Sequence, residues 1–292
     1  MHPNISALLE SLDLTEREAR ENEEVFQGPS QPMPHGRVFG GQVLAQSLVA
    51  AMRTVEDDRP PHSLHGYFLR PGDASKPIMF WVDRIHDGRS FSTRRTQAYQ
   101  NGVPILSMIA SFQTVDDGLN HQIEMPGHLP DPESLPTTAD LIGDVDHPFA
   151  QHWAHERPFD IRYCESPIYL SVEGEKVPHQ AVWIRALDRL PDDPKIHRAA
   201  LTFASDYTIL EPIWRRHGVS WMTPGKSTAS LDHALWFHRD GRADEWMLYT
   251  TESPSAQGGR GLSFGRIYSQ QGVLLASVAQ EGMVRVPTEL LK

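Results

Sequence analysis

The sequence predicts an α+β protein built from two tandem copies of one unit, each a mostly buried helix followed by several antiparallel strands. Two pairs of matching segments indicate the duplication: Tyr-Phe-Leu-Arg at 67–70 with Trp-Phe-His-Arg at 236–239, and QNGVPILS at 100–107 with QQGVLLAS at 270–277. The offsets are 169 and 170 residues, and each pair follows a segment with the composition of a buried helix. A chain of 292 residues has room for two domains of ordinary size.

The helix of the first unit is predicted from Phe39 to Met52. Its sequence, FGGQVLAQSLVAAM, is apolar nearly all round, as in a helix that a sheet surrounds. The counterpart in the second unit, Phe203-Ala-Ser-Asp-Tyr-Thr-Ile-Leu, is less regular. It either kinks at Pro212 or has its regular part starting there. Near the N-terminus, one helical face is predicted from Ile5, Leu8, Leu9 and Leu12.

The remaining elements are predicted as strands on the basis of aromatic and β-branched content and turn signals. The predicted strands are 63–70, 78–84, 91–100 and 103–113 in the first unit, and 227–238, 246–252, 262–270 and 273–286 in the second. Asn101-Gly102 is a strong signal for a two-residue hairpin, and Gln271-Gly272 lies at the matching turn of the second unit.

The segment 115–165 separates the two units. It contains six prolines and scattered aspartates, which exclude a long helix or a central strand, although a short helix is expected near His152–Glu156. We therefore predict an N-terminal domain at 1–114, a linker at 115–165 and a C-terminal domain at 166–292.

Composition excludes several classes of function. The net charge of −11 argues against nucleic-acid binding, which needs a basic surface. No apolar run approaches the roughly 20 residues that span a bilayer. The N-terminal sequence resembles neither a signal peptide nor a transit peptide, so we expect no membrane association and a cytoplasmic location. The one cysteine, Cys164, excludes an intramolecular disulfide and a Cys-based zinc site.

Two patterns suggest chemistry that their context does not support. Gly261-Leu-Ser263-Phe-Gly265 matches the G-x-S-x-G nucleophile elbow, but a strand rather than a helix is expected to follow it, and no histidine follows Ser263 in the chain. His62 and His65, on one predicted strand, point to opposite faces, and no H-E-x-x-H motif occurs. We therefore predict no metal site.

Four segments together resemble the acyl-CoA thioesterase II family: FGGQVLAQSL (39–48), HSLHGYFLRPGD (62–73), LDHALWFHR (231–239) and GVLLASVAQEG (272–282). The resemblance covers nearly the whole chain in the expected order. It implies a double hot-dog fold, two helix-wrapped-by-sheet units in one chain. It also implies hydrolysis of acyl-CoA to free fatty acid and CoA, without a metal or organic cofactor.

The same resemblance implies three catalytic positions. The family's Asp falls on Asp206, its Gln on Gln280, and its Thr on Ser230. Serine keeps the hydroxyl but lacks the methyl group that restricts χ1, so the placement of the hydroxyl is less constrained. Asp232 is a rival for the acid, since it shares a strand face with Ser230 unless a bulge intervenes.

The residues themselves fit this chemistry. Asp206 could accept a proton from water if burial raised its pKa, and Ser230 and Gln280 could orient that water. Backbone N–H groups at Gly40 and Gly41, at a helix N-terminus, could bind the oxyanion. The repeat aligns Gln280 with Ala110 and Asp206 with Gln42, so one site per chain, in the second unit, is predicted.

Substrate binding and assembly are less constrained by the sequence. Arginines in matching regions of the two units are candidates for contacts with the CoA phosphates: Arg94, Arg95, Arg260 and Arg266. The two hot-dog units are expected to pair within the chain, and further association into a homo-oligomer, a dimer or a tetramer, is expected.

Two other functions stay open at this level. A non-catalytic acyl-CoA-binding protein on the same fold is one, and the serine at 230 favours it. A hot-dog hydratase or dehydratase is the other, but such enzymes resemble one another in a histidine five residues after the aspartate, where this chain has Glu211.

Overall fold

The computed structural model describes residues 1–18 and 24–291. Within these residues, six α-helices accompany thirteen strands. The helices are α1 Pro3–Leu12, α2 Gly40–Met52, α3 Thr138–Ile142, α4 Pro148–Gln151, α5 Pro194–Ala204 and α6 Glu211–Arg216. The strands of the first unit are β1 Thr15–Arg17, β2 Glu24–Gly28, β3 Pro61–Phe68, β4 Ile78–Asp87, β5 Phe91–Gln100 and β6 Val103–Gln113. The later strands are β7 Phe159–Tyr163, β8 His179–Ala186, β9 Ser227–Ser230, β10 Asp232–Phe237, β11 Met247–Gln257, β12 Arg260–Ser269 and β13 Leu274–Arg285.

One antiparallel sheet runs through both units. Its strand order is β1-β2-β4-β5-β6-β3-β10-β13-β12-β11-β8-β7, with β9 paired to β13. The units join edge to edge where β3 pairs with β10, with His65 opposite Ala234. The helices α2 and α5 pack against each other. The predicted α+β double hot-dog fold and the pairing of its two units within the chain are confirmed.

The helix α2 is surrounded on all sides, as its sequence predicts. Every residue from Gly41 to Met52 is buried, and Leu44 and Leu48 have no exposed surface. Burying each of these leucines contributes about 1.5–3 kcal/mol. The N-terminal helix α1 adds its apolar face, including Ile5 and Leu8, to the same core.

The predicted second helix is displaced in the structure. Regular helix α5 ends at Ala204, the next residues form turns, and α6 begins at Glu211, just before Pro212. Of the two predicted alternatives, a regular part that starts near Pro212 agrees with α6, whereas a continuous helix through 205–210 is wrong. Asp206 therefore lies in the break between two helices. The earlier start of α5 comes from Asp193, whose side chain accepts a hydrogen bond from the Lys195 N–H, and from Pro194 at the first helical position.

The hairpins follow the turn chemistry of each unit. Asn101 and Gly102 both have positive φ, 50° and 75°, as the predicted two-residue turn requires. At the matching turn of the second unit, Gly272 has a positive φ of 83° but Gln271 does not, because glutamine does not favour that region as asparagine does. The second loop closes instead between Ser269 and Val273.

The segment predicted as a linker carries regular structure. It contains α3, α4, a π-helical turn at His152–Glu156 and the edge strand β7, which pairs with β8 of the second unit. The short helix near His152 was predicted, whereas the strands β1, β2, β7 and β8 were not. The domain boundaries stay a prediction. Among the described residues, no helix is both long and apolar enough to cross a membrane.

Candidate active site

The site forms where the two units meet. Asp206 follows α5 of the second unit, and its Oδ2 accepts a hydrogen bond of 2.9 Å from the Gly41 N–H at the start of α2. The glycines at this contact are needed for close approach. A Cβ atom on Gly41 would lie 2.2 Å from the Phe203 carbonyl oxygen, and one on Gly40 would lie 2.5 Å from Asp206 Oδ2. Phe39 packs on Phe203 and stacks on Tyr207, which holds the two units together here.

A one-residue bulge aims the polar side chains of the second unit. On β9, Ser230 lies opposite Gly282, whereas on β10, Ala234 lies opposite Ala279, so one residue is extra between them. Residues three apart normally face opposite sides of a strand. The bulge at Leu231 instead turns Ser230 and His233 to the same side, toward Gln280.

The Gln280 side chain is the hub of the resulting network. Its Nε2 donates to Asp206 Oδ1 at 3.0 Å and to Ser230 Oγ at 2.9 Å. Ser230 Oγ donates to the same Asp206 oxygen at 3.2 Å. The Gln280 Oε1 accepts from His233 Nδ1. The three residues predicted from the family resemblance are thus brought into direct contact.

Burial sets the electrostatics of this network. Asp206 is enclosed by protein and open only toward the cavity, and this desolvation raises its pKa despite the opposing effects of His233, Gln280, Ser230 and the Gly41 N–H. Burial also lowers the pKa of His233, which is 1% exposed. Asp206 accepts three hydrogen bonds, which fits a carboxylate rather than a carboxylic acid.

Asp232, the rival acid, is directed elsewhere by the same bulge. Its Oδ1 accepts a hydrogen bond of 2.7 Å from the Glu281 N–H, and the residue does not line the cavity. The carboxylate therefore caps the bulge and does not face the Asp206 network.

A cavity of about 480 Å³ opens beside Asp206, Ser230 and Gln280. Its walls come from both units and from the segment predicted as a linker, and they are largely aromatic or aliphatic: Val38, Phe39, Val43, Phe68, Ile105, Phe149, Trp153, Phe203, Tyr207, Leu210 and Trp221. Such a mixture of apolar walls and a few converging polar groups is typical of a small-molecule site. A second depression of about 400 Å³, lined by Arg185, Arg242 and Asp244, contains none of the predicted site residues.

The glycines predicted to bind the oxyanion are not equivalent. The Gly41 N–H already donates to Asp206 and Gly41 does not line the cavity, so we correct its assignment as a substrate contact. Gly40 lines the cavity at the first residue of α2, where backbone N–H groups have no partner within the helix.

The predicted phosphate-binding arginines lie outside the cavity lining. Arg94 is 1% exposed, and its guanidinium donates to Thr54, His86, Thr93 and Asp87, so this assignment is wrong: the side chain is a structural part of the first unit. The other three are partly exposed, and each pairs with one carboxylate: Arg95 with Asp83, Arg260 with Glu281 and Arg266 with Glu252.

Sequence reasoning missed several residues of the site. His233 was named only as part of a motif, yet it contacts Gln280. The wall residues Phe149, Trp153 and Arg157 belong to the segment predicted as a linker. Two cations of the cavity mouth, Arg37 and Arg70, were also missed. Arg70 lies in the repeated Tyr-Phe-Leu-Arg segment, and that repetition was the one sequence feature that could have indicated this residue.

The G-x-S-x-G segment and the pair of His62 and His65 both lie on strands of the sheet. Ser263 lies on β12, fully buried and opposite Gln280, and β12 is followed by the strand β13 instead of the helix that a nucleophile elbow requires. In the part of the chain that the structure describes, no group of three or more His, Cys, Asp or Glu side chains is placed to hold a metal ion.

Fold and site together define a hot-dog protein with an acid, a hydroxyl and an amide at one cavity. Residues 29–113 match the family described as acyl-CoA thioesterase N-terminal domain, and residues 153–283 match the family described as acyl-CoA thioesterase. The chain belongs to the acyl-CoA thioesterase II family.

Related proteins cover most of the chain. Acyl-CoA thioesterase 2 of Haemophilus influenzae is 37% identical over 268 residues, which is 89% of this chain and 92% of the relative. Acyl-coenzyme A thioesterase 8 of Homo sapiens is 39% identical over 281 residues, 92% of this chain and 87% of the relative. The crystal structure of the acyl-CoA thioesterase II TesB2 from Mycobacterium marinum is 42% identical, covers 97% of this chain and 99% of its own, and superimposes with a TM-score of 0.77.

Proposed function

We propose that the chain hydrolyses acyl-CoA thioesters with a water molecule activated by Asp206 and oriented by Ser230 and Gln280. Family membership establishes the reaction, conversion of an acyl-CoA to a free acid and CoA. The observation that supports the division of roles is the contact network of an enclosed carboxylate, a hydroxyl and an amide on the wall of an apolar cavity.

In the proposed reaction, the carboxylate of Asp206 removes a proton from water as the water oxygen attacks the thioester carbonyl carbon. The raised pKa of Asp206 brings its basicity closer to that needed at neutral pH. Gln280 holds the carboxylate and the Ser230 hydroxyl in one geometry, and Ser230 Oγ can accept a hydrogen bond from the water. The water is thereby oriented, which lowers the entropic cost of the attack. The carbon–sulfur bond then breaks, and the proton held by Asp206 passes to the departing CoA thiolate.

The oxyanion that forms in this step needs hydrogen-bond donors. We propose the Gly40 N–H, because Gly40 is the first residue of α2, lies beside Asp206 and lines the cavity. The glycine has a second role here, since any side chain at 40 would strike the Asp206 carboxylate.

For the CoA phosphates we propose Arg37 and Arg70. Both are exposed at the cavity, and among residues 1–18 and 24–291 neither has a carboxylate within ion-pair distance. One N–H of the Arg70 guanidinium donates to the Pro104 carbonyl oxygen, and its other N–H groups can bind a ligand. Unpaired cations are notable in a chain of net charge −11. The sequence-based candidates Arg95, Arg260 and Arg266 stay a rival set.

We propose that the chain forms a homo-oligomer through the outer face of its sheet. Large apolar side chains project from neighbouring strands on this face, with exposed fractions of 64% for Tyr67, 47% for Ile109, 36% for Trp236 and 42% for Phe264. A contiguous apolar patch on a soluble protein is typical of an interaction surface. Light scattering of the wild type and of Trp236→Glu tests this, and a wild type that is monomeric at all concentrations contradicts it.

The cytoplasmic location stays a prediction. One relative, from Saccharomyces cerevisiae and 25% identical, is named as a peroxisomal acyl-coenzyme A thioester hydrolase. Imaging of a fluorescently tagged full chain in its native cell separates the two locations.

The experiment that tests the proposed function is thiol release from a series of acyl-CoAs of increasing chain length, with wild type and Gln280→Ala. Release by the wild type that falls at least about 10²-fold in the variant supports the site. Saturable binding of acyl-CoA without release, at every chain length, would favour the non-catalytic binding protein instead. Full turnover by folded Gln280→Ala would overturn the assignment of the site.

A further inference from the structure

A buried histidine stands behind the proposed catalytic amide. His233 is 1% exposed on β10, and its Nδ1 contacts Gln280 Oε1 on the side of the amide away from Asp206. The repeat shows that this pair is specific to the second unit. The equivalent cross-strand neighbours of the first unit are Leu64 and Ala110, both without exposed surface. A polar pair thus replaces an apolar one only where the site lies.

The hydrogen atoms of this network can be assigned one by one. Asp206 and Ser230 Oγ are both acceptors of Gln280, so the amide nitrogen must face them. The amide oxygen then faces His233 Nδ1, which has to carry a proton. In the opposite amide orientation, the oxygen would lie about 3 Å from the Asp206 carboxylate, an arrangement of two acceptors without a proton.

The other ring nitrogen has a partner as well. His233 Nε2 lies 2.9 Å from Ser205 Oγ, whose hydroxyl is also 2.8 Å from the Thr202 carbonyl oxygen. Burial lowers the pKa of His233, which favours the neutral ring. With its single proton on Nδ1, the ring can accept from the Ser205 hydroxyl through Nε2. The hydroxyl has one hydrogen, which in this tautomer points to Nε2 and not to the Thr202 carbonyl oxygen.

We propose that His233 is a positioning residue for the hydrolysis: its Nδ1–H fixes the amide of Gln280 so that both amide hydrogens point to Asp206 and Ser230. This inference rests on the proposed function, because it acts through Gln280. Without His233, the amide loses the contact that holds its oxygen, so it is held at one end instead of two and the geometry of its hydrogen bonds to Asp206 and Ser230 is less fixed.

The test compares three substitutions in the full chain. His233→Leu copies the residue of the first unit, fits an apolar environment and removes the donor. It should lower kcat by about 10²-fold with little change in KM. The unfolding temperature should also fall, because the buried Gln280 Oε1 loses its donor, so kcat is measured well below that temperature. His233→Asn places an amide nitrogen near the position of Nδ1 and should recover about tenfold of that loss. His238→Leu, a histidine that bonds Ser277 outside the site, is the matched control.

A double-mutant cycle separates positioning from a general structural role. If His233 acts through Gln280, adding His233→Leu to Gln280→Ala should change kcat by less than about twofold. An equal loss in both backgrounds, or wild-type kcat in folded His233→Leu, would overturn the inference. If His233→Leu does not fold, a His233→Asn variant no more active than Gln280→Ala would also overturn it. Full activity of Gln280→Ala would instead refute the proposed site, so the two failures are distinguishable.

Discussion

Replacing one of two nearby aspartates by asparagine separates the proposed base from its rival. Asp206→Asn removes the charge and the basicity but keeps the size of the side chain. The wild-type carboxylate accepts from the Gly41 N–H, from Gln280 Nε2 and from Ser230 Oγ. Asparagine has only one oxygen, so in either orientation its NH₂ group meets at least one of these donors.

The expected effect of Asp206→Asn has two parts, one on kcat and one on stability. Loss of a general base lowers kcat by about 10²–10⁴-fold, which corresponds to about 3–5 kcal/mol of transition-state stabilisation. The donor facing the asparagine nitrogen costs about 1–3 kcal/mol of stability. This cost is offset at neutral pH, because the wild type must bury a carboxylate whose pKa is raised by desolvation. We therefore expect a large effect on kcat and a small net effect on the unfolding free energy.

The assay is thiol release from a saturating acyl-CoA, read with a thiol-reactive dye, together with denaturant unfolding of each variant. Asp232→Asn is the matched control: its side-chain oxygen can still accept from the Glu281 N–H, so kcat should stay within about threefold of the wild type. If Asp206→Asn keeps more than a tenth of wild-type kcat, or if Asp232→Asn is the inactive one, the reasoning about the base is wrong.

Three further outcomes are expected. Ser230→Ala should lower kcat about tenfold by removing two hydrogen bonds, and Ser230→Thr should stay near wild type; a folded but inactive threonine variant contradicts the geometry. Burial raises the pKa of Glu211 to about 7, above its ordinary value of 4.5, so the stability it contributes is full below about pH 4.5 and lost as pH rises through about 7. The unfolding free energy of Glu211→Gln, measured by denaturant unfolding, should therefore rise by about 3 kcal/mol relative to that of the wild type between about pH 4.5 and pH 7. Parallel pH curves for the two proteins would disprove this. Arg37→Gln and Arg70→Gln should raise KM for acyl-CoA in a salt-dependent way but not for an acyl-N-acetylcysteamine, which lacks phosphates. The same KM increase in Arg95→Gln, with none in Arg37→Gln or Arg70→Gln, would favour the rival arginines.

Local sequence patterns determine much of the fold. The all-round apolar character of α2 predicts its burial, because such a helix is stable only when surrounded. Asn101-Gly102 predicts a hairpin, because both residues tolerate positive φ. The repeat predicts two copies of one unit. These features depend on residues near one another in the chain, which is why the sequence reveals them.

The two outermost strands at each end of the sheet are not visible in this way. The strands β1, β2, β7 and β8 escaped prediction because strand formation depends on cross-strand packing more than on local preference. The break at Asp206 is not visible in the sequence for a related reason. The helix α5 starts at Pro194, upstream of the segment predicted as helical, and the turns at 205–210 contact the first unit through Gly41.

For the site, the sequence named Asp206, Ser230 and Gln280 through the family resemblance, and folding brings the three into contact. The direction in which these side chains point was decided by the tertiary structure alone. The extra residue at Leu231 turns Ser230 and His233 to one side and Asp232 to the other, and a bulge is a matter of register between strands far apart in the chain. The charge partners of the arginines and the aromatic wall from 148–157 were likewise decided by contacts between distant segments, which no local pattern specifies.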